Sequence, residues 1–487
     1  MKLMELIKDI QVQAMTADPN TDIRDICYDS RAVQPGDLFV AVVGLQSDGH
    51  RFIGAALEKG AAAVICQRVP EDIDAPYVLT ADSRLALARV SAAYFGHPAD
   101  RMVMVGVTGT NGKTTSTILI KHVLEDVLGA KVGLVGTISN WIGEVEIPTE
   151  RTTPESYELQ KLFRQMVDAG CTYSVMEVSS HALALDRVDG VRFQAGLFTN
   201  LTQDHLDFHG TMEEYARAKA ALFAQCDRGA VNLDDPWADV MLKNAGCPMI
   251  GFSAGGNKKA ELWAENVKLS AAAVEFTACY GQVRTEVRLA IPGAFSVANA
   301  LTALSAGHML GLSLTDCAAS LGRAAGVKGR VEVVPTPGDY TIVIDYAHTP
   351  DALEKVLTTM KEVADGRVVA LFGCGGDRDR AKRPIMGSIA GRIADFSVVT
   401  SDNPRTEDPE AIIADILPGM PPQAPRQVIC DRPAAIRWAI DNHQPGDVIV
   451  LAGKGHETYQ EVNGQKRHMD EREIVAEHLA GKAGTNT

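Results

Sequence analysis

Lys113 stands behind two glycines in the stretch GTNGKTT (109–115), between an apolar run, MVMVGVTG, and a helix-forming one, TTSTILIKHVLEDVLG. Strand, glycine turn, lysine and hydroxyls in that order can cradle phosphate. Glycines let backbone N–H groups approach the oxygens, a helix N-terminus adds positive potential, and the lysine reaches β- and γ-phosphates. Gly109, Thr110, Asn111, Gly112, Lys113, Thr114 and Thr115 are therefore the candidate ATP-binding residues. Thr114 is placed to ligate Mg²⁺, and Lys113 is expected to face solvent when no nucleotide is bound. The spacing departs from the strict G-x-x-x-x-G-K form, because Val107 holds the position five before Gly112 and Gly106 falls one residue too early.

Other strand ends carry unusual polarity. VMEVSSHAL (175–183) ends a buried run with Glu177, an expensive place for a carboxylate unless it is paired or binds metal. TNLTQDHLDFHGT (199–211) ends another with Asp204, His205, Asp207 and His209. Together with the glycine loop they predict a crevice for metal and phosphate. Lys219, in YARAKAALF, lies on an amphipathic helix, where a lysine by itself reads as a solvated surface residue. SDNPRTEDP (401–409) looks like a turn, yet it sets Arg405 on a loop at a strand's C-terminal end, where open α/β sheets place ligand contacts.

The elements that must position these residues form three α/β blocks, consistent with a length of 487 residues at about 150 per domain. The first runs to residue 98, where GHPADR is a turn-rich boundary; the second covers 99–334; the third, after PTPGDY, covers 335–487. Alternating strands (KVGLVGT, YSVMEVSS, AGLFTNL, GAVNLDD) and helices predict a mainly parallel sheet in the second block, with a small antiparallel meander at 261–292. The third block (TIVIDY, RVVALFG, FSVVTS, RQVIC, DVIVLAG) reads as Rossmann-like. With 46% hydrophobic and 22% charged residues the chain can bury large cores, and a net charge of −15 argues against a nucleic-acid surface. No apolar run reaches the roughly 18–20 residues of a membrane span. The nine cysteines are scattered without CxxC pairs, and the N-terminus MKLMELIKDI lacks a secretory h-region, so a cytoplasmic, soluble protein is expected.

GTNGKTT, EVSSH, NLTQDHLDFHGT, YARAKAALF, GRVE, DYAHTP and GCGGDRDRAKRP occur in the order found in the Mur ligases of peptidoglycan synthesis, and nearly the whole chain resembles that family. The resemblance implies a uridine-nucleotide-binding N-terminal domain, a central P-loop ATPase and a C-terminal domain for the incoming amino acid. It implies ATP and a pair of Mg²⁺ ions as cofactors, with Thr114, Glu177, His205 and a carbamylated Lys219 as metal ligands, and with Lys113, Lys219 and His205 as the catalytic set. A carbamate replaces a cation that Mg²⁺ would repel with an anion that can ligate it. Asn299 would meet the adenine, although Ser296 stands where the family commonly has Asn; Arg330, Asp345 and more loosely His348 would come over the nucleotide on closure.

Further carry-over concerns substrates. Ser30, Gln46 and Ser47 match the uridine contacts, and Thr152, Thr153, Ser179 and Arg187 those to the muramoyl-dipeptide of UDP-N-acetylmuramoyl-L-alanyl-D-glutamate. Arg378, Asp402, Asn403, Pro404, Arg405, Gly453 and Glu457 match a pocket for meso-diaminopimelate, since DNPR accompanies that amino acid in the family and lysine-adding relatives lack the arginine. Arg405 offers a bidentate fork for the second carboxylate, and lysine would leave it unpaired. A monomer is expected, with no nucleic-acid or membrane partner. The alternatives are the same ligase using L-lysine, an ATP hydrolase or switch, and relatives such as folylpolyglutamate synthase or the D-glutamate-adding ligase. Those last two are expected to lack DNPR together with GKGHE.

Overall fold

A computed structural model describes residues 1–44, 47–69, 74–149 and 151–485. The chain divides into two compact units, Met1–Trp263 with Leu301–Cys317, and Ala264–Ala300 with Ala318–Thr487.

The first unit contains two sheets. One has the order Val12–Met15, Tyr77–Thr80, Ala63–Cys66, Leu38–Val40, Ile26–Cys27, parallel throughout except at the Val12–Met15 edge. The helix Ser83–Tyr94 packs on it, capped by Asp82, whose carboxylate accepts the Arg84 and Leu85 N–H groups. The other sheet runs Met249–Ser253, Gly229–Asn232, Ala195–Phe198, Val103–Thr108, Tyr173–Glu177, Val132–Val135, all parallel, and then the antiparallel hairpin Asn140–Ile142 and Val145–Ile147. Its central strands are buried along their length, which explains their apolar, β-branched composition. Register fixes the site: Glu177 pairs with Val107 and Phe198 with Thr108, so three neighbouring parallel strands end level with one another. GTNGKTT, EVSSH and NLTQDH leave from those ends at the point where chain order reverses, the crevice where such sheets bind ligands.

The second unit has a six-stranded sheet in the order Glu332–Val334, Thr341–Asp345, Val448–Ala452, Val368–Phe372, Phe396–Val399, Arg426–Val428. All neighbours are parallel except the first pair. Because Glu332–Val334 pairs with Thr341–Asp345, this sheet begins on the amino side of the boundary expected at 335. In the stretch expected to be a meander, Val274–Tyr280 and Val283–Leu289 form an antiparallel pair. Among the described residues no helix is long and apolar enough to cross a membrane.

Candidate active site

In the first unit the loop between Val103–Thr108 and Lys113–Leu128 turns on two left-handed glycines, Gly109 at φ +151° and Gly112 at φ +83°. A Cβ on Gly109 would lie 1.9 Å from Thr199 Oγ1, so glycine is required there. The loop is stitched to the next strand end. Thr110 N donates to the Asn200 carbonyl (2.8 Å), Asn111 N to Asn200 Oδ1 (3.0 Å), and Thr199 Oγ1 to the Asn111 carbonyl (2.7 Å). Lys113 is half-buried: Nζ donates to the Gly109 and Thr110 carbonyls, each at 2.9 Å. This corrects the expectation of a solvent-facing lysine: the loop's own carbonyls solvate the ammonium. Thr114 and Thr115 occupy the helix's first turn, with Thr115 buried.

Lys219 departs most from its isolated sequence reading. It is only 1% exposed, Nζ donates to the Gly109 carbonyl at 2.8 Å, and it lies 4.6 Å from the centre of the Tyr215 ring. Burial, reinforced by Lys113, pushes its pKa well below the ordinary lysine value. Helix Met212–Ala220 is held at its start by Thr211 Oγ1, which accepts Glu214 N, so its buried face turns Tyr215 and Lys219 inward. Tyr215 OH meets Thr110 Oγ1 at 3.2 Å, tying this helix to the loop.

Glu177 is likewise 1% exposed and accepts from Thr137, N–H at 2.9 Å and Oγ1 at 3.0 Å. His205 sits at a left-handed φ of 51°, half exposed, its ring centre 4.8 Å from that of His181. His209 bonds Ser180 Oγ at 2.9 Å and stacks on Tyr215; burial lowers its pKa to about 4 and also lowers that of His181, so both rings are neutral at neutral pH. Among the described residues no three His, Cys, Asp or Glu side chains form a ready-made metal cage.

Beside this crevice, Thr152 Oγ1 meets Thr137 Oγ1 at 3.0 Å, and Thr153 Oγ1 donates to the Glu177 carbonyl (2.8 Å) and accepts Ser179 N (3.1 Å). Arg187 donates to the Thr153 carbonyl (3.2 Å) and to Glu155 Oε2 (3.1 Å), an oxygen also approached by Arg84 at 3.8 Å and Arg151 at 4.0 Å. Three cations thus converge on one carboxylate. A cavity of about 400 Å³ opens between Tyr28, Asn140, Arg151, Glu155 and Glu158, with Glu158 facing Arg151 in it. Ser30 contributes its carbonyl to Lys59 (3.0 Å), and Ser47 is exposed. Gln46 lies outside the described residues.

The second unit gathers its expected residues at the ends of Val368–Phe372, Phe396–Val399 and Val448–Ala452. Asn403 Nδ2 donates to Glu457 Oε2 (2.9 Å); the fully buried Lys454 donates to Asn403 Oδ1 (2.8 Å) and Glu457 Oε2 (2.7 Å). Gly453, at φ +117°, must be glycine, since a Cβ would come 2.5 Å from Asp402 Oδ2. Arg405, at φ 53°, is pinned by backbone bonds to Glu461 and Asn463, and its guanidinium donates to the Gly376 carbonyl (2.9 Å) and pairs with Glu461 (3.2 Å). Arg378 is exposed, with one N–H on the Asp377 carbonyl. Buried Arg432, paired with buried Glu471, donates to the Ser401 and Ala452 carbonyls and so braces the strand ends that precede Asp402 and Gly453.

In the same unit Val331 takes φ 46°, a costly conformation for a β-branched residue, locked by its N–H on Asp345 Oδ2 at 2.8 Å. Burial raises the Asp345 pKa, and Arg330 lies over the Tyr346 ring. Glu332 is ion-paired to Arg472. Asn299 is buried on helix Phe295–Met309, and Ser296 Oγ is turned onto the Pro292 carbonyl. Sequence reasoning passed over Thr137, Glu155, Lys454 and Glu461.

Residues 22–95, 107–307 and 329–455 match the family models described as Mur ligase family, catalytic domain; Mur ligase middle domain; and Mur ligase, glutamate ligase domain. The UDP-N-acetylmuramoyl-L-alanyl-D-glutamate–2,6-diaminopimelate ligase 1 of Clostridium acetobutylicum is 47% identical over 483 residues, 98% of this chain and 99% of that one. The ligase of that activity from Caldanaerobacter subterraneus subsp. tengcongensis is 45% identical, covering 99% of each. A solved structure of a UDP-N-acetylmuramoyl-L-alanyl-D-glutamate–2,6-diaminopimelate ligase superposes with a TM-score of 0.76 at 33% identity over 99% of both chains. MurF from Acinetobacter baumannii shares the fold, with a TM-score of 0.59 at 20% identity over 98% of each.

Proposed function

The chain belongs to the Mur ligase family, and from that we propose that it is the ATP-dependent ligase joining meso-2,6-diaminopimelate to UDP-N-acetylmuramoyl-L-alanyl-D-glutamate in peptidoglycan precursor synthesis. Residues 1–98 are assigned to the uridine-nucleotide substrate, 99–334 to ATP and 335–487 to the amino acid, and the enzyme acts in the cytoplasm as a monomer. The observation that carries this reading is buried Lys219 standing on the phosphate-loop carbonyl of Gly109. A lysine withdrawn from water there is poised for carbamylation, and a carbamate at that position supplies an anionic ligand.

A carboxylate is a poor acyl donor. The D-glutamyl carboxylate oxygen attacks the γ-phosphorus of ATP, ADP leaves, and an acyl phosphate results. The amine nitrogen then attacks the carbonyl carbon, loses a proton, and phosphate departs from the tetrahedral adduct. Lys113 exchanges its loop carbonyls for the β- and γ-phosphates, and the loop N–H groups hold their oxygens in place. Thr114, Glu177, His205 and carbamylated Lys219 are the residues that would hold Mg²⁺, which when bound spreads the charge of phosphoryl transfer. Asn299, Arg330 and Asp345 are assigned to the nucleotide. Ser30, Gln46, Ser47, Thr152, Thr153, Ser179 and Arg187 are assigned to the UDP substrate, where the arginines around Glu155 fit its carboxylates.

Arg378, Asp402, Asn403, Pro404, Arg405, Gly453 and Glu457 are assigned to diaminopimelate. Arg405 already pairs with Glu461, so bound lysine would not strand it; selectivity then rests on hydrogen bonds gained by the second carboxylate rather than on a buried, unpaired cation. Arg405→Ala is expected to raise the KM for diaminopimelate about 10- to 100-fold, to leave the KM values for ATP and the UDP substrate nearly unchanged, and to narrow the gap to lysine. Steady-state kinetics with each substrate varied in turn checks this. An unchanged diaminopimelate KM would remove Arg405 from the pocket.

ADP release with UDP-N-acetylmuramoyl-L-alanyl-D-glutamate and a panel of amino acids tests the whole reading. Release is expected to require both the UDP substrate and diaminopimelate, with lysine a poor replacement. Turnover without any amino acid would favour a hydrolase, and equal use of lysine would reduce the DNPR loop to a turn.

A further inference from the structure

Arg383, on the first turn of helix Lys382–Ile393, is completely buried. Its guanidinium forms a two-pronged pair with Glu407 (3.0 and 2.8 Å) and also reaches Asp415 at 2.9 Å. This pairing holds the Glu407 carboxyl down to about 2. Only the arginine is buried while both carboxylates are partly exposed, and desolvating one member of an ion pair offsets the attraction, so its geometry is the more informative property.

That geometry joins two loops. Glu407 Oε1 also accepts Asp377 N at 2.6 Å, while Thr406 donates to the Asp377 carboxylate through N–H (3.2 Å) and Oγ1 (2.7 Å). One step inward, Gly376 N donates to the Asn403 carbonyl and Arg405 donates to the Gly376 carbonyl, both at 2.9 Å. The fit leaves no room, since a Cβ on Gly376 would lie 1.9 Å from the Pro404 carbonyl oxygen. Arg378 follows Asp377 directly, and Arg405 precedes Glu407 by two residues. The seam fastened by Arg383 is therefore what spaces these two cations.

We propose that Arg383, acting through Glu407, is a positioning residue that fixes the separation of Arg378 and Arg405 and so selects an amino acid with a second carboxylate. The proposal rests on the diaminopimelate reading above. Asp415 provides an internal comparison: it contacts Arg383 as Glu407 does, but its other partner is the exposed Arg380, further along the Arg378 loop, and that bond does not tie this loop to the one carrying Arg405. Three variants, Glu407→Gln, Arg383→Lys and Asp415→Asn, are compared in steady-state assays with diaminopimelate and with lysine, alongside thermal melts. Glu407→Gln is expected to raise the KM for diaminopimelate about tenfold and to shrink its advantage over lysine by a similar factor, with the KM values for ATP and the UDP substrate within about twofold of wild type. Arg383→Lys keeps the charge but cannot fork, so it should behave as Glu407→Gln does. Asp415→Asn should match wild type. If Glu407→Gln fails to fold, Arg383→Lys carries the test. Equal effects of Glu407→Gln and Asp415→Asn, or a loss spread evenly over all substrates and kcat, would make the cluster mere scaffolding. A wild-type enzyme that prefers lysine would overturn the underlying reading, and this proposal with it.

Discussion

Lys113→Ala is expected to lower turnover on the order of 10²-fold or more, with little change in thermal melting. The ammonium meets charge that grows at the β- and γ-phosphates as the phosphoryl group transfers, so its loss falls mainly on the transition state. The ammonium bonds two loop carbonyls, Gly109 and Thr110. Its removal leaves the Gly109 carbonyl still bonded by Lys219 and takes nothing from the apolar core. ADP release at saturating substrates, beside a melting curve, is the check. Near-normal turnover in a folded variant would remove GTNGKTT from the chemistry.

Lys219→Ala should lose activity to a similar degree and regain part of it when a small carboxylic acid is added. The side chain is sealed from water and its amine stands on the Gly109 carbonyl. Carbamylation forms an N–C bond to CO₂ and releases a proton, turning that amine into an anion able to ligate Mg²⁺. A short carboxylate can occupy the space left by truncation and restore the charge. Lys219→Arg should be inactive and beyond rescue, because a larger, permanent cation fills the site. Accurate mass at neutral pH or a crystallographic map reads the modification directly; unmodified lysine in fully active enzyme would defeat the idea.

The local signals were in the chain. Apolar, β-branched runs ending in GTNGKTT, EVSSH and NLTQDH announced buried parallel strands with polar C-terminal ends, because strand periodicity and glycine turns are short-range properties. One such signal went unread. Asn463–Gly464, both at positive φ, turns the hairpin Tyr459–Val462 to Gln465–His468, and Asn-Gly between strands is a strong hairpin cue. That hairpin supplies Glu461, the partner of Arg405.

Motif order in the sequence was enough to identify the family, the three-domain α/β plan and the expected chemistry, since each motif is contiguous and carries its own local geometry. Only the tertiary structure decided how the pieces meet. It turned Lys219 from a surface residue into a buried one beside Gly109, 110 residues away, and paired Glu177 with Thr137 across 40 residues. It set Arg84, Arg151 and Arg187 around Glu155, and sealed the Arg378 and Arg405 loops through Arg383 and Glu407. Strand order and register, which a residue's near neighbours do not encode, make those contacts. Whether a polar side chain is solvated or confined follows from what packs over it.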